Sequence, residues 1–141
     1  MSYYLDTSAV VSALTKEPTT PTVQSWLDAH LNDRLLISEW VKTEFSSAIS
    51  IKMRTGQIDA HLRASAHAEF NRLCAISFVT LPVSTDNFRT AASFADQHPL
   101  GLRASDALHL AIASEHRATI YTFDRRLLDA ATALAIPSVA R

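Results

Sequence analysis

The chain has 141 residues, of which 48% are hydrophobic and 19% are charged, and its formal net charge at pH 7 is −1. This length and composition predict one compact domain with its own hydrophobic core and exclude an intrinsically disordered chain. The single cysteine excludes an internal disulfide bond and is typical of a reducing cytoplasm, where we expect the protein to reside. No run of about 18 apolar residues is present, so no membrane-spanning segment is expected.

Hydrophobic periodicity and turn residues predict seven helices and four or five short strands. In chain order they are a strand at 2–5, helices at 9–16 and 23–31, a strand at 35–37, helices at 39–54 and 59–76, a strand at 78–82, helices at 85–97 and 105–116, a strand at 119–123, a helix at 125–134 and a final edge strand at 138–139. The predicted N-caps are Ser38, Ser84 or Thr85, and Ser105.

The alternation of strands and helices predicts an α/β fold. A central parallel sheet of four or five strands is expected to be covered by helices on both faces, which makes a three-layer α/β/α architecture. Only two glycines are present, so the glycine-rich phosphate-binding loops of many α/β proteins are excluded. In open sheets of this kind, binding sites form beyond the carboxyl ends of the strands.

Two aspartates directly follow predicted strands. Asp6 comes after the strand at 2–5, and Asp124 comes after the strand at 119–123. Because the carboxyl ends of parallel strands meet at one edge of a sheet, we expect both side chains there. An ordinary alternative stays open for each residue, since aspartate is also a favoured N-cap of the helix that follows.

Glu44 occupies a helix position where an apolar residue is expected, in register with Val41 and Ala48. A buried carboxylate is costly unless it is paired, so it either belongs to a cation site or forms a salt bridge, for which Lys52 and Arg103 are the candidates. In a cluster of acids, Glu44→Gln would relieve repulsion and raise the melting temperature in metal-free buffer.

Asp106 lies in the first turn of a predicted helix that is apolar nearly all round. The helix dipole favours an anion at this position, which by itself explains an aspartate there. If Asp6, Glu44, Asp106 and Asp124 converge instead, their mutual repulsion requires a divalent cation, and carboxylate oxygens are the ligands that Mg²⁺ and Mn²⁺ prefer. Such a site suits hydrolysis at phosphorus.

Four segments of the chain together resemble the PIN-domain ribonucleases, and within them the VapC-type toxins of bacterial toxin–antitoxin pairs. The segments are YLDTSA at 4–9, ISEWVKTEF at 37–45, LRASDALHLA at 102–111 and TFD at 122–124. They occur in order and at suitable separations over nearly the whole chain. The resemblance implies one PIN-like domain at 1–141.

The resemblance also implies a function. It implies an endoribonuclease that uses Mg²⁺, with Mn²⁺ as a substitute, bound by the four acids Asp6, Glu44, Asp106 and Asp124. Thr122 would orient the last aspartate and a nearby water, and Ser8 would lie beside the first. The expected partners are the RNA substrate, a cognate antitoxin and a second copy of the chain in a homodimer.

Positive charges near the acids are candidates for contacts with RNA phosphates. Arg103 precedes Asp106, and Arg125 follows Asp124. Solvation of an exposed arginine is the ordinary alternative. His109, one turn after Asp106, is assigned to helix packing in preference to proton transfer, because its neighbours are apolar.

Three rival functions follow from the same fold class. A phosphatase of the haloacid dehalogenase type is disfavoured, because it requires Asp-x-Asp where this chain has Asp6, Thr7 and Ser8. A PIN-domain nuclease of RNA processing is an alternative, although such chains are commonly longer. A catalytically inactive module that binds RNA or protein is another, and the presence of all four acids argues against it.

Overall fold

A computed structural model describes residues 1–139, and this part of the chain forms five strands and seven α-helices. The strands are β1 Ser2–Leu5, β2 Arg34–Ser38, β3 Phe78–Leu81, β4 Thr119–Tyr121 and β5 Ser138–Val139. The helices are α1 Thr7–Leu14, α2 Thr20–Ala29, α3 Glu39–Arg54, α4 Ala60–Ile76, α5 Thr85–Asp96, α6 Ala104–Glu115 and α7 Arg125–Ala133, with a 3-10 helix at His98–Leu100. The predicted elements are all present, with ends that differ by a few residues.

The five strands form one parallel sheet in the order β3-β2-β1-β4-β5. Helices flank the sheet, which confirms the predicted three-layer α/β/α architecture. The central strand β1 is buried on both faces, because its consecutive residues Tyr4 and Leu5, which point to opposite faces, have no exposed surface. The last two residues of the predicted domain at 1–141 lie outside the described part, and its treatment as one domain stays a prediction.

Helix α6 is buried on every side through its middle. Seven consecutive residues, from Ala107 to Ala113, are buried. Asp106 lies directly before this run, so the first turn of α6 is fixed against the interior, as the apolar sequence predicts. Across residues 1–139, every helix is too short or too polar to cross a membrane.

Two of the predicted N-caps are confirmed and one is wrong. The side chains of Ser38 and Ser84 accept hydrogen bonds from the first turns of α3 and α5. Ser105 is not a cap, because α6 begins one residue after Arg103 and Ser105 lies inside its first turn. Its hydroxyl oxygen instead accepts the Trp40 indole N–H over 3.1 Å, and its proton is donated to the carboxylate of Glu44.

Candidate active site

The carboxyl ends of β1 and β4 lie side by side at the centre of the sheet. Leu5 is paired with Tyr121, and the Asp6 amide donates to the Tyr121 carbonyl oxygen over 3.3 Å. Strands β2 and β3 lie on one side of β1, and strands β4 and β5 lie on the other. This reversal of strand order creates the crevice in which open α/β sheets place their sites.

Asp6 is both a helix cap and a buried acid. Its Oδ1 accepts the Ala9 amide of α1 over 3.1 Å and the Ser8 hydroxyl over 2.7 Å, while its Oδ2 accepts the Thr122 hydroxyl over 2.5 Å. Only 4% of the residue is exposed. Burial raises the pKa of the Asp6 carboxyl above its ordinary value, although nearby His109 and the three hydrogen bonds oppose the rise.

Thr122 and Ser8 connect the two strand ends. The Thr122 hydroxyl donates to Asp6 and accepts the backbone amide of Asp124 over 3.0 Å. The Ser8 hydroxyl lies 3.3 Å from that of Thr122 and accepts the Phe123 amide over 3.2 Å. The Thr122 hydroxyl therefore bonds both aspartates: it donates its proton to the Asp6 carboxylate, and its oxygen accepts the backbone N–H of Asp124.

Glu44 points inward from α3 and its carboxylate accepts from three side chains. Its Oε1 lies 2.6 Å from the Thr7 hydroxyl and 2.5 Å from Nε2 of His109, and its Oε2 accepts the Ser105 hydroxyl. Burial favours the neutral acid, but the hydrogen bonds from His109, Ser105 and Thr7 outweigh that effect and lower the pKa of Glu44 to about 2. Glu44 is therefore an ionised, partly buried carboxylate.

The salt-bridge partners suggested by the sequence for Glu44 are not the ones in the structure. The ammonium group of Lys52 pairs with Glu17 over 3.0 Å, and Arg103 lies against Asp106 and not against Glu44. The nitrogen nearest to the Glu44 carboxylate belongs to His109. A contact between residues 65 positions apart, on helices that pack across the sheet edge, leaves no signal in the local sequence pattern.

His109 does more than pack α6. The residue is only 3% exposed, and its Nδ1 lies 2.8 Å from the Tyr4 hydroxyl, which in turn lies 2.9 Å from the Ser38 hydroxyl. Burial raises the pKa of Tyr4 well above its ordinary value, so the hydroxyl remains a donor. A histidine one helical turn after Asp106 was the available signal for this role.

Asp106 and Asp124 line a cavity beside three arginines. The cavity has a volume of about 370 Å³, and its lining residues are Arg103, Asp106, Asp124, Arg125 and Arg126. Burial raises the pKa of Asp106, and the negative charge of Asp124 raises it further. Two carboxylates that repel each other next to guanidinium groups can bind a cation and a phosphate side by side.

The structure thus divides the four predicted acids into two groups. Asp6 and Glu44 are held by hydrogen bonds from the protein, whereas Asp106 and Asp124 line the cavity. Within residues 1–139, no three or more His, Cys, Asp or Glu side chains are arranged so that they could hold a metal ion. The chemistry of the donors nevertheless fits a hard divalent cation such as Mg²⁺, because all are carboxylate oxygens and two of them repel.

The family model of the PIN domain matches residues 3–133 of the chain. Curated proteins searched by sequence gave no match. Among solved structures, the chain is similar to FitAcB from Neisseria gonorrhoeae, with a TM-score of 0.72, 20% identity and coverage of 96% of this chain and 95% of that one.

Two further structures are similar over most of their length. VapBC2 from Rickettsia felis, bound to a DNA fragment from its promoter, gives a TM-score of 0.70 and 20% identity over 99% of this chain and 98% of that one. The sarcin-ricin loop cleaving toxin VapC20 from Mycobacterium tuberculosis gives a TM-score of 0.71 and 19% identity over 91% of this chain and 94% of that one. At these identities the likeness shows a shared fold.

Proposed function

The chain belongs to the PIN-domain family, and from that premise we propose that it is an Mg²⁺-dependent endoribonuclease, with Mn²⁺ as a substitute. The family comprises nucleases. The observation that carries the proposal is the cavity at the carboxyl edge of the sheet, where Asp106 and Asp124 lie beside arginines and β4 neighbours the strand that Asp6 follows. Acids for a cation and guanidinium groups for a phosphate meet there.

The proposed catalytic and metal-binding residues are Asp6, Glu44, Asp106 and Asp124. When bound, the metal ion supplies a water activated at neutral pH and stabilises negative charge at phosphorus. Asp6 is kept in place by the hydroxyls of Ser8 and Thr122.

Arg103 and Arg125 are the proposed contacts to RNA phosphates. Both are exposed, and both line the cavity that contains Asp106 and Asp124. Their guanidinium groups can pair with phosphate oxygens through two parallel hydrogen bonds. Because the whole chain carries a net charge of −1, attraction to RNA depends on such local positive charge and weakens with added salt.

We propose further that the protein is the toxin of a toxin–antitoxin pair and is neutralised by a cognate antitoxin. The similar structures include a toxin–antitoxin complex from Klebsiella pneumoniae and VapBC2 from Rickettsia felis. VapC20 from Mycobacterium tuberculosis is described as a toxin that cleaves the sarcin-ricin loop. The shared fold supports the class of protein, and the RNA target of this chain is a separate question.

A homodimer is the proposed assembly. An apolar depression of about 290 Å³ between α5 and α6 is lined by residues that include Trp40, Phe88 and Leu108, and Phe88 is 57% exposed. Exposed apolar surface of this kind is typical of protein–protein contacts. Light scattering of the wild type and of Phe88→Glu tests this assembly, and an unchanged dimer mass in the variant would exclude this surface.

A second candidate function is an inactive binding module with the same fold. The observation in its favour is that the acids within residues 1–139 do not form a ready metal site. The module would bind RNA or protein without cleaving it, and it would show neither metal-dependent turnover nor loss of function in acid-to-amide variants. A PIN-domain nuclease of RNA processing differs from a toxin in lacking a neutralising partner.

Cleavage of total bacterial RNA by the purified protein distinguishes these candidates. Reactions contain Mg²⁺, Mn²⁺ or EDTA, with Asp6→Asn as the inactive variant. The matched control is Asp59→Asn, because Asp59 also caps a helix but is exposed and far along the chain from the site. Metal-dependent cutting by the wild type and Asp59→Asn alone supports the nuclease. Equal cutting by Asp6→Asn would remove Asp6 from the site.

A further inference from the structure

A chain of hydrogen bonds runs through the core to Glu44. His109 lies at its centre, with Nε2 2.5 Å from the Glu44 carboxylate and Nδ1 2.8 Å from the Tyr4 hydroxyl. The Tyr4 hydroxyl lies 2.9 Å from that of Ser38, which accepts the Val41 amide over 3.3 Å. A buried imidazole is costly unless both nitrogens are bonded. Here both are bonded, in the middle of α6, where the other buried residues from Ala107 to Ala113 are apolar.

With a neutral imidazole, the chemistry of the groups gives one consistent direction for these hydrogen bonds. An ionised carboxylate only accepts, so Nε2 of His109 donates to Glu44. Nδ1 then accepts from the Tyr4 hydroxyl, which accepts from Ser38. The serine oxygen finally accepts the Val41 amide. One arrangement of hydrogens therefore satisfies every atom between Val41 and Glu44, and it leaves the carboxylate no freedom to rotate without breaking the chain.

The three elements that meet at His109 are those that carry three of the proposed catalytic acids. Tyr4 lies two residues before Asp6 at the end of β1. Glu44 itself belongs to α3, and His109 lies three residues after Asp106 on α6. The imidazole therefore ties together the strand and the two helices whose relative positions set the spacing between these acids.

We propose that His109 is a positioning residue, which orients the Glu44 carboxylate and sets the distance between α3 and α6 for the divalent cation. The inference rests on the proposed function. Thr7 and Ser105 also donate to the carboxylate, but both are only partly buried. Of the three donors, His109 is the one whose second polar atom, Nδ1, is bonded to the fully buried Tyr4. Partners of this kind typically change metal affinity or activity about 10–100-fold.

The test compares two substitutions of His109. His109→Leu keeps much of the volume and removes both nitrogens, whereas His109→Gln retains an N–H donor that can reach Glu44. Mn²⁺ affinity is measured by calorimetry, and kcat and KM are measured on RNA. We expect His109→Leu to weaken Mn²⁺ binding and lower kcat about 10–100-fold, with KM for RNA unchanged. His109→Gln should recover part of both losses.

Tyr4→Phe provides a second variant that keeps the ring and removes only the hydroxyl. The matched control is Tyr3→Phe, on the same strand, because Tyr3 makes edge contacts with Trp26 and His30 that phenylalanine retains. We expect Tyr4→Phe to weaken Mn²⁺ binding several-fold and Tyr3→Phe to leave it unchanged. If His109→Leu does not fold, this pair decides.

Several outcomes would overturn the inference. One is a folded His109→Leu protein that binds Mn²⁺ as tightly as the wild type. Another is a His109→Gln protein whose Mn²⁺ affinity and kcat are no higher than those of His109→Leu. A third is an equal loss of Mn²⁺ affinity in Tyr4→Phe and Tyr3→Phe. These results leave the proposed nuclease intact, because the wild type still binds Mn²⁺ and cuts RNA. A wild type that neither binds Mn²⁺ nor cuts RNA overturns both proposals together.

Discussion

Glu44 on α3 and Asp106 on α6 are both proposed metal ligands, yet the protein treats their charges in opposite ways. Three internal donors surround the Glu44 carboxylate and lower its pKa to about 2. Asp106 has a raised pKa because of burial and because of the charge of Asp124. The charge of Glu44 is compensated by the fold itself. The charge of Asp106 is compensated only in part, by the backbone of Arg103 and the charge of Arg126, and a carboxylate held in this way is typical of a ligand-binding group.

The largest expected effect is a loss of catalysis when a carboxylate of the Asp106–Asp124 cavity is removed. Asp124→Asn removes a charge from the cavity while keeping the volume and the ability to cap α7. We expect RNA cleavage to fall by about 100-fold or more, with little change in melting temperature. Asp59→Asn, at an exposed aspartate that likewise caps a helix, is the control. Cleavage by Asp124→Asn at the rate of this control would contradict the division between the two acids.

Glu44→Gln tests, through the free energy of unfolding, whether internal hydrogen bonds compensate the charge of Glu44. The substitution replaces a charged acceptor of three hydrogen bonds by a neutral amide, whose NH₂ group cannot accept. We expect a loss of about 1–3 kcal/mol in the free energy of unfolding, measured by urea denaturation without metal. This reverses the rise in melting temperature that the sequence predicts, because repulsion between acids is outweighed by donors that the sequence does not reveal. Glu39→Gln, exposed on the same helix, is the control.

The pH dependence of stability follows from the same group. Because the pKa of Glu44 falls from 4.5 to about 2 on folding, its ionised form stabilises the folded state. This contribution is complete above pH 4.5 and is lost as the pH falls through about 2. The difference in unfolding free energy between wild type and Glu44→Gln should therefore shrink over this range. A difference that stays constant down to pH 2 would mean that the carboxylate is not the source of the stability.

A smaller effect of opposite sign is expected at Asp106. Its pKa is raised, so the charged form weakens the folded state at neutral pH in the absence of metal. Asp106→Asn should raise the melting temperature by a few degrees at most in EDTA. Added Mn²⁺ should stabilise the wild type and leave the variant unchanged. Equal stabilisation of both proteins by Mn²⁺, measured by scanning calorimetry, would count against Asp106 as a ligand.

The smallest effect concerns the arginines that line the cavity. Arg125→Ala should weaken RNA binding of a cleavage-defective protein modestly and at all sequences alike, and reduce the slope of log affinity against log salt by about 1. Arg89→Ala, exposed on α5 and paired with Asp86, is the control. An unchanged slope in Arg125→Ala would show that its charge does not meet a phosphate.

Much of the fold is visible in the sequence, because strands and helices alternate with clear periodicity and the strand ends carry aspartates. Asp6 and Asp124 could be placed at one edge from the parallel topology alone. The partner of Glu44 could not, since a carboxylate on an apolar stripe fits a cation, a lysine or a histidine equally well. Only packing of α3 against α6 decides between them, and helix packing depends on side-chain shapes across the sheet edge.

Ser105 shows the other limit. A serine before an apolar helix predicts an N-cap, and local propensity has no knowledge of an acceptor 61 residues earlier in the chain. Ser105 lies inside the first turn of α6, where its oxygen accepts the Trp40 indole N–H and its proton goes to Glu44. Local rules therefore fail here at a residue that belongs to the candidate site.

The insertion of β4 beside β1 has a consequence for synthesis on the ribosome. Asp6 is made almost at once, but Thr122, which bonds it, is made 116 residues later. Until β4 emerges, one edge of the central strand is without the neighbour that it has in the finished sheet. Any activity that needs Asp6 and Asp124 together therefore starts only after the chain has been translated through residue 124.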